Sequence, residues 1–276
     1  MTPTSPPVVL AGASKTYGGI RAFDAVSLRI PPGQFVAIVG RSGAGKTTLL
    51  RCLAAATTVT SGSIRIGDED VSGLRGRSLR AYRRRVGMIY QHFNLVKRLP
   101  VASNVLVGRL GHLSGFRAWA ALLGRFGAHD RAVALRCLAH VGLLDRAWQR
   151  ADTLSGGEQQ RVAIARVLAQ DPMMVLADEP VASLDVLTGT KVMETLRYVA
   201  TDAGLTVIST LHHVEYARRY ADRILGLRQG RLVFDGAPTA LTDAALLGIF
   251  GELPRALADD STPAPAAIGH LAAVPS

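Results

Sequence analysis

Cysteine is scarce in this chain, and its scarcity excludes two kinds of architecture. The 276 residues contain two cysteines, Cys52 and Cys137, too few for a disulfide framework or a cysteine-based metal cluster. Both lie in helix-like apolar runs, so we expect them to pack in the core. Hydrophobic residues make up 48% of the chain, which is enough for one α/β core, with or without a small lobe.

Long hydrophobic runs are also missing. No apolar stretch reaches the roughly 18 residues that a transmembrane helix requires. The first residues, MTPTSPPVVL, lack the basic and apolar regions of a signal peptide. These absences predict a cytosolic protein whose association with a membrane goes through a partner.

Lysine is rare, so arginine carries almost all of the formal net charge of +11. Aromatic residues are only 5% of the chain and do not interleave with basic ones as in nucleic-acid-binding modules, which argues against a nucleic-acid partner. An anionic membrane surface and anionic ligands both stay open. The densest basic stretch, Arg75 to Arg85, is interpreted first as a solvated helix face, with acidic lipid headgroups or a membrane partner as the alternative.

A phosphate-binding motif follows the predicted buried strand Phe35–Val39 and precedes a predicted helix. It reads G-x-x-x-x-G-K-T, and its residues are Gly40, Arg41, Ser42, Gly43, Ala44, Gly45, Lys46, Thr47 and Thr48. The glycines let the backbone wrap around phosphates with its N–H groups pointing inward. Lys46 is expected to reach the β- and γ-phosphates, and the Thr47 hydroxyl suits Mg²⁺. The motif therefore predicts a nucleoside triphosphate site.

A second stretch with phosphate chemistry runs from Leu154 to Asp185. It opens with a serine and two glycines at a helix start, where unpaired N–H groups attract an anion; these are Ser155, Gly156 and Gly157. A later buried strand in this stretch ends in Asp178 and Glu179. Adjacent acids at a strand tip suit a metal and a proton acceptor better than they suit packing.

Three further polar residues stand at strand ends or turns. Gln91 follows a predicted strand, where its neutral amide could reach a metal or a water molecule. His212 follows the predicted strand 205–210 and could donate a hydrogen bond to a γ-phosphate. Tyr17 lies beside glycines in a turn, and on these residues alone an ordinary turn tyrosine is favoured over an exposed functional ring. Residues 92–150 are predicted to form an all-helical insertion.

Together these motifs resemble the ATP-binding subunits of ABC transporters over about residues 8–250. The matching segments are the Walker A loop at 40–48, the signature LSGGEQQR at 154–161, the Walker B sequence VLADEP at 175–180 and the D-loop SLD at 183–185. The resemblance implies an α/β P-loop NTPase core with an antiparallel β subdomain and an inserted α-helical subdomain at about 92–170. An N-terminal tail at 1–7 and a disordered Ala/Pro-rich tail at 251–276 would flank it.

The resemblance also implies a role for each matching residue. Residues 40–48 and Asp185 would contact ATP, and Tyr17 would stack on adenine. Mg²⁺ would be held by Thr47, Gln91 and, through water, Asp178. Glu179 would deprotonate the attacking water, with Lys46 and His212 as the other catalytic groups. Ser155, Gly156 and Gly157 would close over ATP bound to a second copy of the chain.

A narrower resemblance is to the phosphonate-import ATPase subfamily. It is carried by QHFNLVKRL (91–99), NVLVGRLG (104–111), VGLLDRAWQRAD (141–152), ADEPVASLD (177–185) and YADRILGLRQGRLVFDG (220–236). This implies an ATP hydrolase that energises uptake of phosphonates, or also of phosphite or phosphate esters. Its partners would be membrane permease subunits and, indirectly, a periplasmic or extracellular solute-binding protein, and its place the cytoplasmic face of the membrane. An importer for phosphate or polar amino acids, or a soluble ABC ATPase, are the alternatives.

The sequence departs from the family pattern at three positions. Arg41 stands where proline is common, Thr47 where serine is common, and Glu158 where glutamine is common. Thr47 keeps the hydroxyl that a metal needs, so the expected activity is unaffected. His213 follows His212, so the choice between them depends on where the strand ends.

Overall fold

The computed structural model describes residues 5–122 and 124–252. In this part of the chain the strands are β1 Val8–Tyr17, β2 Ile20–Ile30, β3 Phe35–Val39, β4 Ser61–Ile66, β5 Glu69–Asp70, β6 Val86–Ile89, β7 Met174–Asp178, β8 Thr206–Thr210, β9 Arg223–Arg228 and β10 Arg231–Gly236. The α-helices are α1 Lys46–Leu53, α2 Gly76–Arg85, α3 Val101–Leu106, α4 Gly115–Leu122, α5 Ala128–His140, α6 Gly156–Ala169, α7 Val186–Thr201, α8 Val214–Tyr220 and α9 Asp243–Phe250. Short 3₁₀ segments lie at Val107–His112, Leu144–Arg146, Ala151–Thr153 and Pro238–Ala240.

The strands form two sheets. The larger has the order β10-β9-β3-β8-β7-β6, with parallel pairing from β9 to β6 and β10 added antiparallel at one edge. The smaller, β2-β1-β4-β5, is antiparallel throughout. This mixed α/β architecture confirms the predicted fold class.

The central strands of the large sheet are buried on both faces, as their continuous apolar sequences predict. Phe35, Ala37 and Val39 of β3 point into one hydrophobic cluster, and Val36 and Ile38 point into the other. This alternation is the two-residue period of a strand. Because both faces are filled, the polar residues are confined to the strand ends.

The described residues between Val101 and Ala169 include the helices α3, α4, α5 and α6 and no named β-strand. A buried ion pair ties this helical part together, since Arg109 Nε lies 3.1 Å from Asp130 Oδ1. Arg109 also donates to the Ala169 carbonyl at the end of α6 (3.1 Å). The helical subdomain boundary at about 92–170 stays a prediction.

Ser5, which falls in the predicted N-terminal tail, packs against the large sheet. The Ser5 side chain is buried, and its hydroxyl donates to the Met173 carbonyl (2.7 Å) and accepts from the Thr206 amide (2.8 Å). Ser5 therefore joins the starts of two strands of the large sheet, a long-range contact that a Pro/Ser/Thr composition does not reveal. The predicted C-terminal tail lies, from residue 253 on, outside the described residues.

Parallel pairing brings the carboxyl ends of β3, β7 and β8 to one edge of the large sheet. The register pairs Asp178 with Thr210 and Ala177 with Ser209. The residues that follow these three strands are therefore neighbours in space, as in other open α/β sheets.

Candidate functional site

The loop between β3 and α1 has a shape that only glycine permits at two positions. A Cβ on Gly40 (φ 150°) would lie 2.2 Å from the Leu227 carbonyl oxygen, and one on Gly45 (φ 98°) would lie 2.2 Å from that of Ala22. The backbone therefore packs directly on neighbouring strands while its amides face a cavity of about 300 Å³. That cavity is lined by residues 42–48 of the motif, by Glu179 and by residues 20–22 of the β1–β2 hairpin.

Lys46 lies inside this loop, with only 4% of the residue exposed. Its Nζ donates to the carbonyl oxygens of Gly40 (2.8 Å) and Arg41 (3.1 Å). Burial lowers the pKa of Lys46, while the nearby charges of Glu179 and Asp178 act in the opposite direction. A partly desolvated ammonium group held by neutral carbonyls is well suited to bind an anionic phosphate.

Asp178 accepts two hydroxyl hydrogen bonds on one carboxylate oxygen. Thr47 Oγ1 donates to Oδ1 at 3.0 Å, and Thr210 Oγ1 donates to the same atom at 2.9 Å. A carboxylate next to a hydroxyl is an oxygen donor set of the kind that Mg²⁺ uses together with substrate phosphates. The residues present therefore fit a magnesium ion.

Glu179 is held in an unusual conformation beside His212. Its φ is 51°, in the left-handed region that non-glycine residues rarely adopt, and its amide donates to Thr210 Oγ1 at 2.9 Å. Glu179 Oε1 lies 2.5 Å from His212 Nε2. Strained backbone of this kind persists where surrounding contacts fix it, which is common at functional sites.

The two adjacent histidines differ in their surroundings. His213 immediately precedes α8 and its ring packs edge-on against Tyr216, with the ring centroids 6.0 Å apart. His212 faces Glu179. The geometry thus associates His212, rather than His213, with the paired acids.

Ser155, Gly156 and Gly157 begin α6, away from the phosphate loop. Ser155 is the N-cap: its Oγ accepts from the Glu158 amide, and Glu158 Oε2 accepts from the Ser155 amide (2.9 Å). Ser155 and Gly157 line a cavity of about 190 Å³ with Arg161, Thr188 and Lys191, which is separate from the loop's cavity. Asp185 caps the neighbouring helix α7 by accepting from the Thr188 amide at 3.0 Å.

Gln91 and Tyr17 lie at some remove from the paired acids. Gln91 lines a third cavity, of about 410 Å³, together with His92, Gln159 and Ser183, so this conformation does not bring it to Thr47 and Asp178. Tyr17 is 47% exposed, and Lys15 Nζ lies 4.7 Å from its ring centroid. The exposed part of its ring is accessible to a planar ligand, and the first residues of β2 in the same hairpin, Ile20 to Ala22, border the loop's cavity.

Two site residues escaped the sequence analysis. Thr210 is a β-branched residue in a buried strand, which is the pattern of core packing, so its contact with both acids has no sequence signal. Glu158 does have a signal, because S-x-x-E ahead of an apolar run is a capping box. In the family pattern, Glu158 stands out only as a departure from the common glutamine.

Fold and site define a nucleotide-binding cassette, and comparisons with known proteins agree. The family model described as ABC transporter matches residues 23–182. The chain belongs to this family and is an ATPase subunit of an ABC transporter.

Among its relatives are phosphonates import ATP-binding proteins PhnC of three bacteria. The protein of Agrobacterium fabrum is 49% identical to this chain, and the match covers 88% of this chain and 84% of the relative. The protein of Rhizobium etli is 50% identical, and the match covers 88% of this chain and 85% of the relative. The protein of Bradyrhizobium diazoefficiens is 46% identical, and the match covers 96% of this chain and 97% of the relative. Both resemblances seen in the sequence are thereby confirmed.

Solved structures agree with the fold. The ATP-binding cassette MJ0796, dimeric in a post-hydrolysis state with ADP and Pi, matches with a TM-score of 0.72 at 34% identity, covering 84% of this chain and 98% of that one. The cassette cbiO1 of Clostridium perfringens matches with a TM-score of 0.75 at 23% identity, covering 87% and 92%, which supports the fold alone.

Proposed function

We propose that this chain is the ATP-hydrolysing subunit of an importer that takes up phosphonates across the cytoplasmic membrane. The observation that carries the proposal is the likeness to phosphonates import ATP-binding proteins at 46–50% identity over most of both chains. Residues 8–250 would form its nucleotide-binding domain. The protein would work at the cytoplasmic face of the membrane; no helix in the described ranges is long and apolar enough to cross a bilayer.

The catalytic roles follow from the contacts around the phosphate loop. Lys46 would exchange its two carbonyl partners for the β- and γ-phosphates, while the amides of residues 42–48 surround them. Glu179 would orient and deprotonate the attacking water, and His212, 2.5 Å away, would hold this carboxylate and the γ-phosphate region in place. Tyr17 would stack on adenine.

Thr47 and Asp178 would hold the magnesium ion, which supplies charge neutralisation for the phosphates. Their direct hydrogen bond, with the two oxygens 3.0 Å apart, supports this assignment. Gln91 would join them only after the segment that carries it moves, because it now lines a different cavity.

A second copy of the chain would complete the site. Ser155 and Gly157 lie at a helix start that lines a cavity of its own, which a phosphate from another molecule would enter. The Ser155 amide, which donates to Glu158 Oε2, would exchange that bond for the phosphate. In a head-to-tail dimer each nucleotide would contact the loop at 40–48 of one copy and Ser155, Gly156 and Gly157 of the other. A single copy would then hydrolyse ATP poorly.

The permease would dock in a groove of about 590 Å³ between α2 with β6 and the 3₁₀ segment Val107–His112 with α6. Its apolar floor includes Met88 and Val107, and its rim carries Arg80, Arg84 and Arg166. The groove borders Tyr90, next to Gln91, so docking there could reach the nucleotide site through the segment after β6. A solute-binding protein would act through the permease only.

Uptake assays test this proposal directly. A strain without the gene should lose growth on a phosphonate as sole phosphorus source and keep growth on phosphate, and the wild-type gene should restore it. The variant Lys46→Ala should not restore growth, since it removes the phosphate-binding ammonium group. Loss of phosphate or amino-acid uptake, with phosphonate uptake intact, would assign the chain to another importer.

A further inference from the structure

The positive charge of this protein is concentrated in one stretch of sequence. Residues 71–129 contain eleven Lys and Arg and no Asp or Glu, so this stretch carries a charge equal to the +11 of the whole chain. The rest of the chain is balanced. Part of this charge is neutralised within the protein, since Arg109 is buried against Asp130 and Arg85 pairs with Glu69. The other basic side chains of the stretch that the structure describes are exposed.

Helix α2 presents one arginine face. Arg77, Arg80 and Arg84 are spaced three and four residues apart and are exposed, whereas Tyr82, on the opposite side, is fully buried. None of the three has a carboxylate partner within residues 5–122 and 124–252. Like charges at this spacing destabilise a helix, and an anionic surface would relieve that cost.

Helix α4 exposes two large aromatic side chains. Phe116 and Trp119, three residues apart on one face, are 85% and 72% exposed. Ala121, about 200° around the helix from Trp119, is buried. Two large aromatic side chains in solvent with a small residue inside indicate a helix whose outer face has a partner.

Arg84 of α2 contacts the segment that leads to α4. Its Nη1 donates to the Gly111 carbonyl oxygen at 3.2 Å. Gly111 precedes Phe116 by five residues, so the chain limits the distance between their Cα atoms to about 18 Å. Arg77, Arg80, Arg84, Phe116 and Trp119 are here called the basic-aromatic surface.

We propose that the basic-aromatic surface binds the headgroup region of an anionic phospholipid membrane. Arginines attract lipid phosphates, and aromatic side chains enter the interface between headgroups and acyl chains. A protein partner would need an apolar pocket for Phe116 and a carboxylate for each arginine, whereas an anionic bilayer offers both features over its whole area. This contact goes beyond the proposed transport role. Arg80 and Arg84 also line the groove proposed for the permease, so the membrane contact is one that the chain would make without its permease.

Tryptophan fluorescence gives a site-specific test, since the chain has only two tryptophans. Trp148 is 75% exposed and lies outside the basic stretch, so Trp148→Phe leaves Trp119 as the reporter and Trp119→Phe leaves Trp148 as the matched control. The full-length protein is mixed with vesicles of phosphatidylcholine alone or with added phosphatidylglycerol. We expect the Trp119 emission to shift to the blue only with the anionic vesicles, and the Trp148 emission to stay unchanged.

Vesicle flotation measures separately how much the arginines and the aromatic side chains contribute to membrane binding. Replacing Arg77, Arg80 and Arg84 by Gln should weaken binding roughly fivefold per arginine, and added salt should weaken binding by the wild type. Phe116→Ser with Trp119→Ser should weaken it at least about tenfold. ATP binding by each variant shows that it is folded.

Three results would overturn the proposal. The first is a Trp119 emission that does not respond to anionic vesicles. The second is equal binding to neutral and anionic vesicles. The third is an absence of vesicle binding while the Phe116 and Trp119 variants fail to assemble with the permease, which would make the surface a protein contact.

Discussion

At the scale of single residues, Thr210 joins the two acids that follow β7. Its hydroxyl donates to Asp178 Oδ1 and accepts from the Glu179 amide, so one oxygen fixes both the carboxylate and the strained backbone beside it. Hydrogen bonds to charged groups contribute about 1.5–3 kcal/mol each. Thr210 is therefore a positioning residue for the hydrolytic centre.

Replacing Thr210 by Val keeps the shape of the side chain and removes the hydroxyl. We expect kcat for ATP hydrolysis to fall about tenfold or more, because Asp178 and Glu179 lose their shared partner. ATP affinity without magnesium should stay within about twofold, since Lys46 is untouched. Thr210→Ser keeps the hydroxyl and should retain most activity; an equally impaired Ser variant would show that packing, not the hydrogen bonds, matters.

Lys46 is a second residue at the site, and the free-energy cost of burying its charge in the folded protein can be measured. Its lowered folded-state pKa means that holding the charge inside the loop opposes folding. This cost is fully present below the folded-state pKa and is relieved as pH rises from that value to the unfolded value of 10.5.

Lys46→Met should therefore raise the thermal midpoint without nucleotide at neutral pH, by about 2–4 °C per kcal/mol of relieved cost. The difference from wild type should shrink as pH approaches 10.5, and ATP should no longer stabilise the variant. Differential scanning fluorimetry across pH measures both effects. A variant less stable than wild type at neutral pH would show that the two carbonyl hydrogen bonds outweigh desolvation.

At the scale of elements, α6 and α7 approach so closely that glycine is required between them. A Cβ on Gly157 would lie 1.9 Å from Thr188 Cγ2. The caps of the two helices meet at the same place, because Asp185 accepts from the Thr188 amide and Ser155 caps α6. Gly157 thus fixes the spacing of the two helix starts, in addition to its proposed contact with a second nucleotide.

Gly157→Ala should destabilise the protein by about 1–3 kcal/mol, because the helices must separate to admit the methyl group. Thr188→Ser removes Cγ2 but keeps the backbone amide that Asp185 caps. The double variant should recover most of the lost free energy of unfolding, measured by urea denaturation. Additive effects of the two substitutions would mean that the close contact is relieved elsewhere.

At the scale of the whole molecule, the sequence predicts those features whose position follows from a short sequence pattern. The glycines and Lys46 of the phosphate loop stand between a strand and a helix, and adjacent acids end a buried strand, so their place at one sheet edge follows from parallel pairing. Positions that depend on long-range packing are different. Ser5, Thr210 and the exposed aromatics of α4 obtain their surroundings from segments distant in sequence, which no short pattern encodes.

Gln91 shows that even a residue in a recognisable motif can have a position that the sequence does not predict. Its motif places it after β6, yet the structure puts it in a cavity with Gln159 and Ser183 rather than beside Asp178. Whether it reaches the metal depends on how the helical part moves relative to the sheet. A sequence motif specifies which residues take part and leaves the conformation open.

The central claim is that Glu179 is the base for ATP hydrolysis, held by His212. The most direct test is Glu179→Gln, compared with wild type for ATP binding by equilibrium dialysis and for phosphate release in a single turnover. The amide keeps the size of the carboxylate and one acceptor oxygen, but its NH2 group donates instead of accepting and cannot take a proton. We predict ATP binding within about threefold of wild type and a hydrolysis rate at least about a hundredfold lower. Phosphate release at the wild-type rate by this variant would contradict the account.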